Sequence, residues 1–121
     1  SFHNAGVTLV VTVDTGSTAI AEVAHAKQFG IDTVITDHHL METDRPEAVA
    51  IVNPHIGSRE AVGYSGAGVA FKVAQALSRN AGSKFPQELL PLAALFNGPV
   101  SATWMVSPVA AWITAGCAMR P

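Results

Sequence analysis

The chain of 121 residues has the size of one modest domain or of a piece of a larger protein. Hydrophobic residues make up 49% of it and charged residues 13%, which excludes a disordered segment because enough apolar surface exists to offset the entropy lost on ordering. The net charge of −2 argues against a self-sufficient nucleic-acid-binding module, which usually carries a basic stripe.

Cysteine usage and the start of the chain bear on its compartment. One cysteine, Cys117, cannot form an internal disulfide, so nothing points to an oxidising compartment. The chain begins at Ser1 and shows no basic-then-apolar leader. We therefore expect a cytoplasmic fragment of a longer protein.

The first predicted unit is a strand followed by a helix. A continuous β-branched apolar run, residues 7–13, is typical of a strand buried on both faces of a parallel sheet. Residues 14–16 end it, and Ser17 or Thr18 is expected to cap the helix. The helix ends at Gly30. Its predicted buried face consists of three residues at helical spacing: Ile20, Val23 and Ala24.

Two further strands follow at short spacing. Residues 33–36 precede the triplet Asp37-His38-His39, and residues 48–52 end at Asn53-Pro54. Strands connected by such short crossovers predict an α/β fold with a Rossmann-like parallel sheet flanked by helices.

A second helix is predicted to open at Ser65 and to end at Gly82. Its expected buried stripe is Val69, Val73, Ala76 and Leu77. A further helical piece is predicted through three leucines: Leu89, Leu92 and Leu95. Pro91 must then lie in its first turn or kink it.

Acidic residues and histidines follow the first two predicted strands. Asp14 ends the first, and the triplet at residues 37–39 ends the second. Because ligands bind outside the carboxyl ends of parallel strands, these groups are expected to converge. Such oxygen and nitrogen donors suit Mg²⁺, Mn²⁺ or Zn²⁺. Taken alone, an aspartate at a strand end is more often a turn former or helix cap than a metal ligand, and a histidine pair after a strand is more often part of a solvated loop.

Four motifs in order resemble the DHH phosphoesterase superfamily over roughly residues 7–95. They are residues 13–16, 36–39, 50–54 and 66–72. Within the superfamily they are most similar to the branch of exonucleases that degrade single-stranded DNA in the 5′→3′ direction.

The resemblance implies specific roles. Asp14 is expected to bridge two divalent metal ions, His38 to be a metal ligand and His39 to face the scissile phosphate. Asp37 is expected to orient a histidine through a hydrogen bond. Three small residues are expected to let the backbone approach the phosphate, or else to form only a tight turn: Gly66, Ala67 and Gly68.

Three other polar residues are placed outside the site. We expect Lys72 to be a solvated helix residue, His25 to lie on the helix surface and His55 to lie in a loop.

Two expected family motifs, Asp-x-Asp-Gly and Gly-Thr-x-Ala-Asp, are not found in this sequence. The sequence is therefore interpreted as an incomplete DHH domain over residues 1–95 and an atypical apolar tail over residues 96–121. The tail is expected to supply no metal ligand, to pack poorly and to leave Trp104 and Trp112 partly exposed.

The resemblance implies a fragment of a two-metal phosphodiesterase that uses Mn²⁺ or Mg²⁺ and acts in DNA repair and recombination. Its implied partner is single-stranded DNA, with a single-stranded-DNA-binding protein as a further candidate and no membrane. The chain by itself is expected to be inactive. Two alternatives stay open: an oligonucleotide or cyclic-dinucleotide phosphodiesterase of the same superfamily, and a non-catalytic α/β module.

Overall fold

The computed structural model describes residues 2–41, 43–56, 63–89 and 91. Their elements, in chain order, are a 3₁₀ turn (His3–Ala5), β1 (Leu9–Val13), α1 (Ile20–Gln28), β2 (Asp32–Thr36), β3 (Ala50–Val52), α2 (Gly66–Asn80) and a 3₁₀ turn (Gln87–Leu89). This order confirms the predicted α/β arrangement. The rest of the predicted third helix and the whole tail, residues 96–121, lie outside the described residues.

The three strands form one parallel sheet in the order β1-β2-β3. The register pairs their last residues with one another: Val13 with Thr36, and Thr36 with Val52. The next residues along the chain, Asp14, Asp37 and Asn53, therefore lie at the same edge of the sheet. This alignment of strand ends positions the candidate site.

The helices pack on opposite faces of the sheet. On one face, Val23 of α1 joins a buried cluster with Ile35 and Ile51 of the strands. On the other face, Val69 of α2 packs with Val52. Because successive strand residues point to opposite faces, Ile51 and Val52 divide the core between the two helices.

The prediction that the first strand is buried on both faces is wrong for the described part of the chain. β1 pairs with β2 only, and three of its apolar side chains are more than half exposed: Leu9 (52%), Val11 (53%) and Val13 (56%). These alternate residues lie on the face of the sheet on which α2 packs against Val52, but at the β1 end of that face they stay exposed. The pattern of the sequence is that of a central strand, whereas the described sheet places it at an edge.

The start of α1 also differs from expectation. The helix begins after Ala19 with no side-chain cap, because Ser17, predicted as a cap, turns inward and is 1% exposed. Of the predicted buried face, only Val23 is buried, while Ile20 and Ala24 are exposed. Gly30 follows the helix with a left-handed φ of 69°, as predicted.

The start of α2 agrees with the prediction, because the Ser65 Oγ accepts a hydrogen bond of 3.2 Å from the Gly68 N–H. Its buried stripe is shifted relative to the prediction. Leu77 is 65% exposed, whereas Lys72, expected to be solvated, is fully buried. Burial, followed by the nearby charge of Arg79, lowers the pKa of the Lys72 ammonium. No helix in the described ranges is long and apolar enough to cross a membrane.

Candidate metal centre

Three potential metal ligands converge at the carboxyl edge of the sheet. Asp14, His38 and His39 each offer one donor atom, and these atoms all lie within 4.8 Å of one another. The Asp14 Oδ1 and the His38 Nε2 are 3.0 Å apart. The prediction that these two side chains lie close together, with His39 in the same cluster, is therefore confirmed as geometry.

A left-handed turn places Asp14 at this position. Its N–H donates to the Thr36 carbonyl at 2.9 Å, which extends the pairing of β1 and β2 by one residue. Its φ is then +62°, a conformation that aspartate tolerates better than most residues with side chains. The Thr12 hydroxyl donates to the Thr15 carbonyl at 2.7 Å and closes the turn. The carboxylate leaves the strand there and meets His38.

The first residue of α2 packs against this carboxylate. A Cβ added to Gly66 would clash with the Asp14 carboxyl group and would lie 2.6 Å from the Asp14 Cβ. Only glycine fits at this position while Asp14 keeps its place. The neighbouring Ala67 is exposed, and Gly68 is buried with its N–H used by the Ser65 cap.

Asp37 is a buried carboxylate that binds both histidines of the cluster. It is 1% exposed, and its Oδ1 is 2.7 Å from the His39 Nδ1 and accepts the His38 N–H at 2.7 Å. Its Oδ2 accepts the Ser17 N–H at 2.9 Å. Burial by itself would raise the pKa of this carboxyl group. The hydrogen bonds from Ser17, His39 and His38 outweigh burial and hold the pKa well below its usual range.

The ring of His39 is anchored at one nitrogen and exposed elsewhere. The hydrogen bond to Asp37 raises the pKa of the His39 imidazole, and its side chain is 61% exposed. Because a carboxylate accepts a hydrogen bond from the Nδ1, that nitrogen carries the proton. The Nε2 then remains available for a contact in the site. Asp37 thus lies where the sequence analysis expected it to orient a histidine.

Two buried polar residues of this edge were missed by the sequence analysis. Asn53, 0% exposed, donates from its Nδ2 to the Ser17 Oγ at 2.8 Å and to the His39 carbonyl at 2.9 Å. The sequence places Asn53 at a strand end within one of the four family motifs and gives it no role in the site, and it makes Ser17 a candidate helix cap. The available signal was positional, since Asn53 directly follows β3 as Asp37 directly follows β2.

The two remaining candidate histidines lie elsewhere in the described structure. His25 is exposed on α1 and makes an edge-on contact with Phe29, with the ring centroids 4.9 Å apart. The His55 backbone N–H donates to the Asn53 Oδ1 at 2.9 Å. Neither belongs to the donor cluster, which agrees with the sequence prediction.

The donor set fits a divalent cation. Two ligands about 2.1 Å from one ion and at right angles around it are about 3 Å apart, which is the separation of the Asp14 and His38 donor atoms. One carboxylate oxygen with imidazole nitrogens is a mixture that Mn²⁺ and Zn²⁺ accept, and Mg²⁺ favours the oxygen. Such an ion would retain coordination positions for water or substrate.

Several known proteins are similar to this chain. The single-stranded-DNA-specific exonuclease RecJ of Bacillus subtilis is 41% identical over 100 residues, which are 78% of this chain and 12% of that protein. The protein of the same name from Salmonella typhimurium is 46% identical over 74 residues, 60% of this chain and 13% of that protein. The chain thus spans about an eighth of the length of these relatives.

Solved structures agree with the sequence relatives. A crystal structure of RecJ from Thermus thermophilus in complex with Mn²⁺ matches with a TM-score of 0.63 and 34% identity, covering 71% of this chain and 13% of that one. A crystal structure of exonuclease RecJ bound to manganese matches with a TM-score of 0.64 and 30% identity, covering 76% of this chain and 24% of that one.

The family model described as the DHH family, N-terminal domain, matches residues 3–95. This range includes all three strands, both helices and the whole donor cluster. The chain belongs to the DHH family.

Proposed function

We propose that this chain is the central part of the catalytic domain of a metal-dependent phosphodiesterase that degrades single-stranded DNA in the 5′→3′ direction. The observation that carries the proposal is the convergence of the Asp14, His38 and His39 donor atoms within 4.8 Å of one another. The similarity to exonucleases of single-stranded DNA supports the substrate class.

Asp14 and His38 would hold Mn²⁺ or Mg²⁺, and Asp14 would bridge two such ions. The two solved relatives bound to manganese support this choice of metal. When bound, the ions polarise the phosphoryl oxygen and lower the pKa of a water molecule. Asp14 and His38 contribute by fixing where the ions lie relative to the sheet edge.

We assign His39 to the scissile phosphate instead of to a metal ion. Asp37 raises the pKa of the His39 ring through the hydrogen bond at its Nδ1, and the side chain is 61% exposed. The Nε2–H of a protonated ring would donate to a phosphate oxygen and stabilise the negative charge that develops there. Asp37 keeps the Nδ1 occupied and the ring oriented.

The start of α2 is the proposed place for the substrate backbone. Gly66 lies directly against Asp14, so a phosphate near the carboxylate edge also lies near the first turn of this helix. The partial positive charge of a helix N-terminus favours anions. Because the Gly68 N–H is bonded to Ser65, Gly66 and Ala67 are the residues with backbone available for this contact, and Gly68 contributes by its small size.

The biological setting follows from the same proposal. Single-stranded DNA is the proposed partner, in DNA repair and recombination, and a single-stranded-DNA-binding protein is a further proposed partner. The single cysteine of the chain is compatible with a cytoplasmic location.

A chimera tests the proposal directly. The Escherichia coli exonuclease RecJ is 42% identical to this chain over 77 residues. In the chimera, residues 7–89 of this chain would replace the matching segment of that protein. We expect the chimera to release nucleotides from single-stranded DNA in Mn²⁺, and the same chimera with His39→Ala to lose this activity. His25→Ala in the chimera is the matched control, since that exposed histidine lies outside the donor cluster.

The substrates separate the alternatives. A length series of single-stranded DNA labelled at either end would be compared with a cyclic dinucleotide. Preference for the cyclic dinucleotide would favour the small-molecule branch of the superfamily. A chimera that folds and binds Mn²⁺ but cleaves neither substrate would contradict the proposal.

A further inference from the structure

We propose that Asn53 and Ser17 are positioning residues that hold His39 in its working orientation through a chain of directed hydrogen bonds. The inference rests on the proposed function, because it assigns to His39 a role that requires a fixed ring. Neither residue has a role in the ligand set or in the substrate contacts described above.

The orientation of the Asn53 amide is unambiguous. Its Nδ2 donates to the His39 carbonyl at 2.9 Å and to the Ser17 Oγ at 2.8 Å, while its Oδ1 accepts the His55 N–H at 2.9 Å. Exchanging the amide oxygen and nitrogen would place one carbonyl against another and one donor against another. Asn53 therefore presents both of its N–H groups to the site.

This fixed amide sets the direction of the Ser17 hydroxyl. The Ser17 Oγ accepts from the Asn53 Nδ2 at 2.8 Å, so Asn53 holds the Ser17 side chain. The Ser17 backbone N–H donates to the Asp37 Oδ2 at 2.9 Å. Ser17 thus links Asn53 to the Asp37 carboxylate through its side chain and its backbone.

His39 is consequently held at two points. Asn53 binds its backbone carbonyl, and Asp37 binds its ring at the Nδ1. The side chain of His39 is 61% exposed, so surrounding packing alone does not fix the ring. Asn53, Ser17 and Asp37 are each at most 1% exposed, and a buried network with every partner present is rigid.

The network also joins the three strand ends. Asn53 follows β3, Asp37 follows β2, and Ser17 lies in the turn after β1. A displacement of any one of these strand ends would therefore also displace His39, through the hydrogen bonds of the network. This placement distinguishes a positioning device for the site from an ordinary loop contact.

The first readout needs no metal and no substrate. Long-range ¹H–¹⁵N correlation of the His39 ring in the full chain, with EDTA and at a pH where imidazole is neutral, reports which nitrogen carries the proton. We expect the Nδ1–H form in the parent chain. In Ser17→Ala and in Asn53→Ala we expect a shift toward the Nε2–H form, which free imidazole of histidine prefers.

The second readout is catalytic and uses the chimera. We expect Ser17→Ala and Asn53→Ala to lower kcat by about 10–100-fold, as loss of outer hydrogen-bond partners does in metal sites, with KM for single-stranded DNA little changed. Thr33→Val is the matched control. It removes the hydroxyl of a buried residue, 5% exposed, in the same strand and four residues before Asp37.

The two proposals fail in different ways. If the parent chimera is inactive while the His39 tautomer shifts as expected, the proposed function fails and the positioning role stands. An unchanged tautomer and an unchanged kcat in Ser17→Ala would overturn the positioning role. Ser17→Ala is the decisive variant should Asn53→Ala fail to fold, since it deletes one hydroxyl and keeps the backbone N–H to Asp37.

Discussion

Gly66 and Asp14 lie in direct contact across two different elements, the first turn of α2 and the turn after β1. A Cβ at position 66 would occupy the space of the Asp14 carboxyl group. Asp14 itself is held by a left-handed backbone with φ +62° and by its N–H bond to the Thr36 carbonyl. This backbone fixes the Asp14 Cβ, which would lie 2.6 Å from the added atom, so rotation of the carboxylate alone would not remove the clash.

Gly66→Ala is expected to weaken Mn²⁺ binding by displacing Asp14. We expect a loss of about 10–100-fold in affinity, comparable to removal of a group that orients a ligand, measured by Mn²⁺ electron paramagnetic resonance of the full chain. The matched control is Ala67→Ser, which likewise adds one heavy atom at the next position, where the residue is exposed. Equal affinity in the Gly66→Ala and Ala67→Ser variants would show that the contact with Asp14 does not matter for the metal.

The isolated chain is expected to bind Mn²⁺ weakly and to hydrolyse no DNA. Among the described residues, Asp14 and His38 alone form an incomplete ligand set for an ion that takes several ligands. Seven Lys and Arg against nine Asp and Glu give little non-specific attraction for a phosphate backbone. The weak binding of Mn²⁺ should be lost in the His38→Ala variant and should persist in the His25→Ala variant. Manganese-dependent release of nucleotides by the purified chain, abolished by His38→Ala, would contradict this expectation.

The sequence predicts the sheet and the donor cluster well because both depend on local pattern and strand order. A β-branched run, a crossover helix and a second strand fix which ends are neighbours, and parallel pairing then brings Asp14 to His38. The resemblance adds that Asp37 orients a histidine, and the 2.7 Å contact with His39 has that geometry.

The residues that prediction missed depend on tertiary context. Ser17 has the chemistry of a helix cap, and only the position of Asn53 shows that its hydroxyl points inward. Lys72 has the chemistry of a solvated residue, yet it is fully buried. Helix propensity and hydrophobic periodicity do not determine which neighbour forms a hydrogen bond with a polar side chain. Such assignments therefore require the folded structure.

Asp37→Asn is expected to destabilise the metal-free chain most above pH 4. The folded-state pKa of Asp37 is lowered from 3.8, so its contribution is complete above that pH and is lost as the pH falls through the folded-state pKa. We expect about 1.5–3 kcal/mol at neutral pH, the range for hydrogen bonds to a charged group. Urea unfolding in EDTA from pH 7 to pH 3 measures it, and the gap between parent and variant should narrow below pH 3.8. A gap that widens as the pH falls below 3.8 would contradict the assignment of Asp37 as an ionised, hydrogen-bonded carboxylate.

The exposed face of β1 gives the final prediction. Val11 is 53% exposed and Val52 of β3 is 6% exposed, so the same substitution to threonine distinguishes an edge position from a core position of one sheet. Val52→Thr places a hydroxyl among apolar neighbours and should lower the free energy of unfolding by about 1–3 kcal/mol.

In Val11→Thr the hydroxyl stays in water and the β-branched shape is kept, so the change should stay within about 0.5 kcal/mol. Urea unfolding of both variants of the full chain, followed by circular dichroism, gives the comparison. A loss at Val11 as large as that at Val52 would mean that the face of Leu9, Val11 and Val13 is covered in solution, as the apolar pattern of β1 predicts.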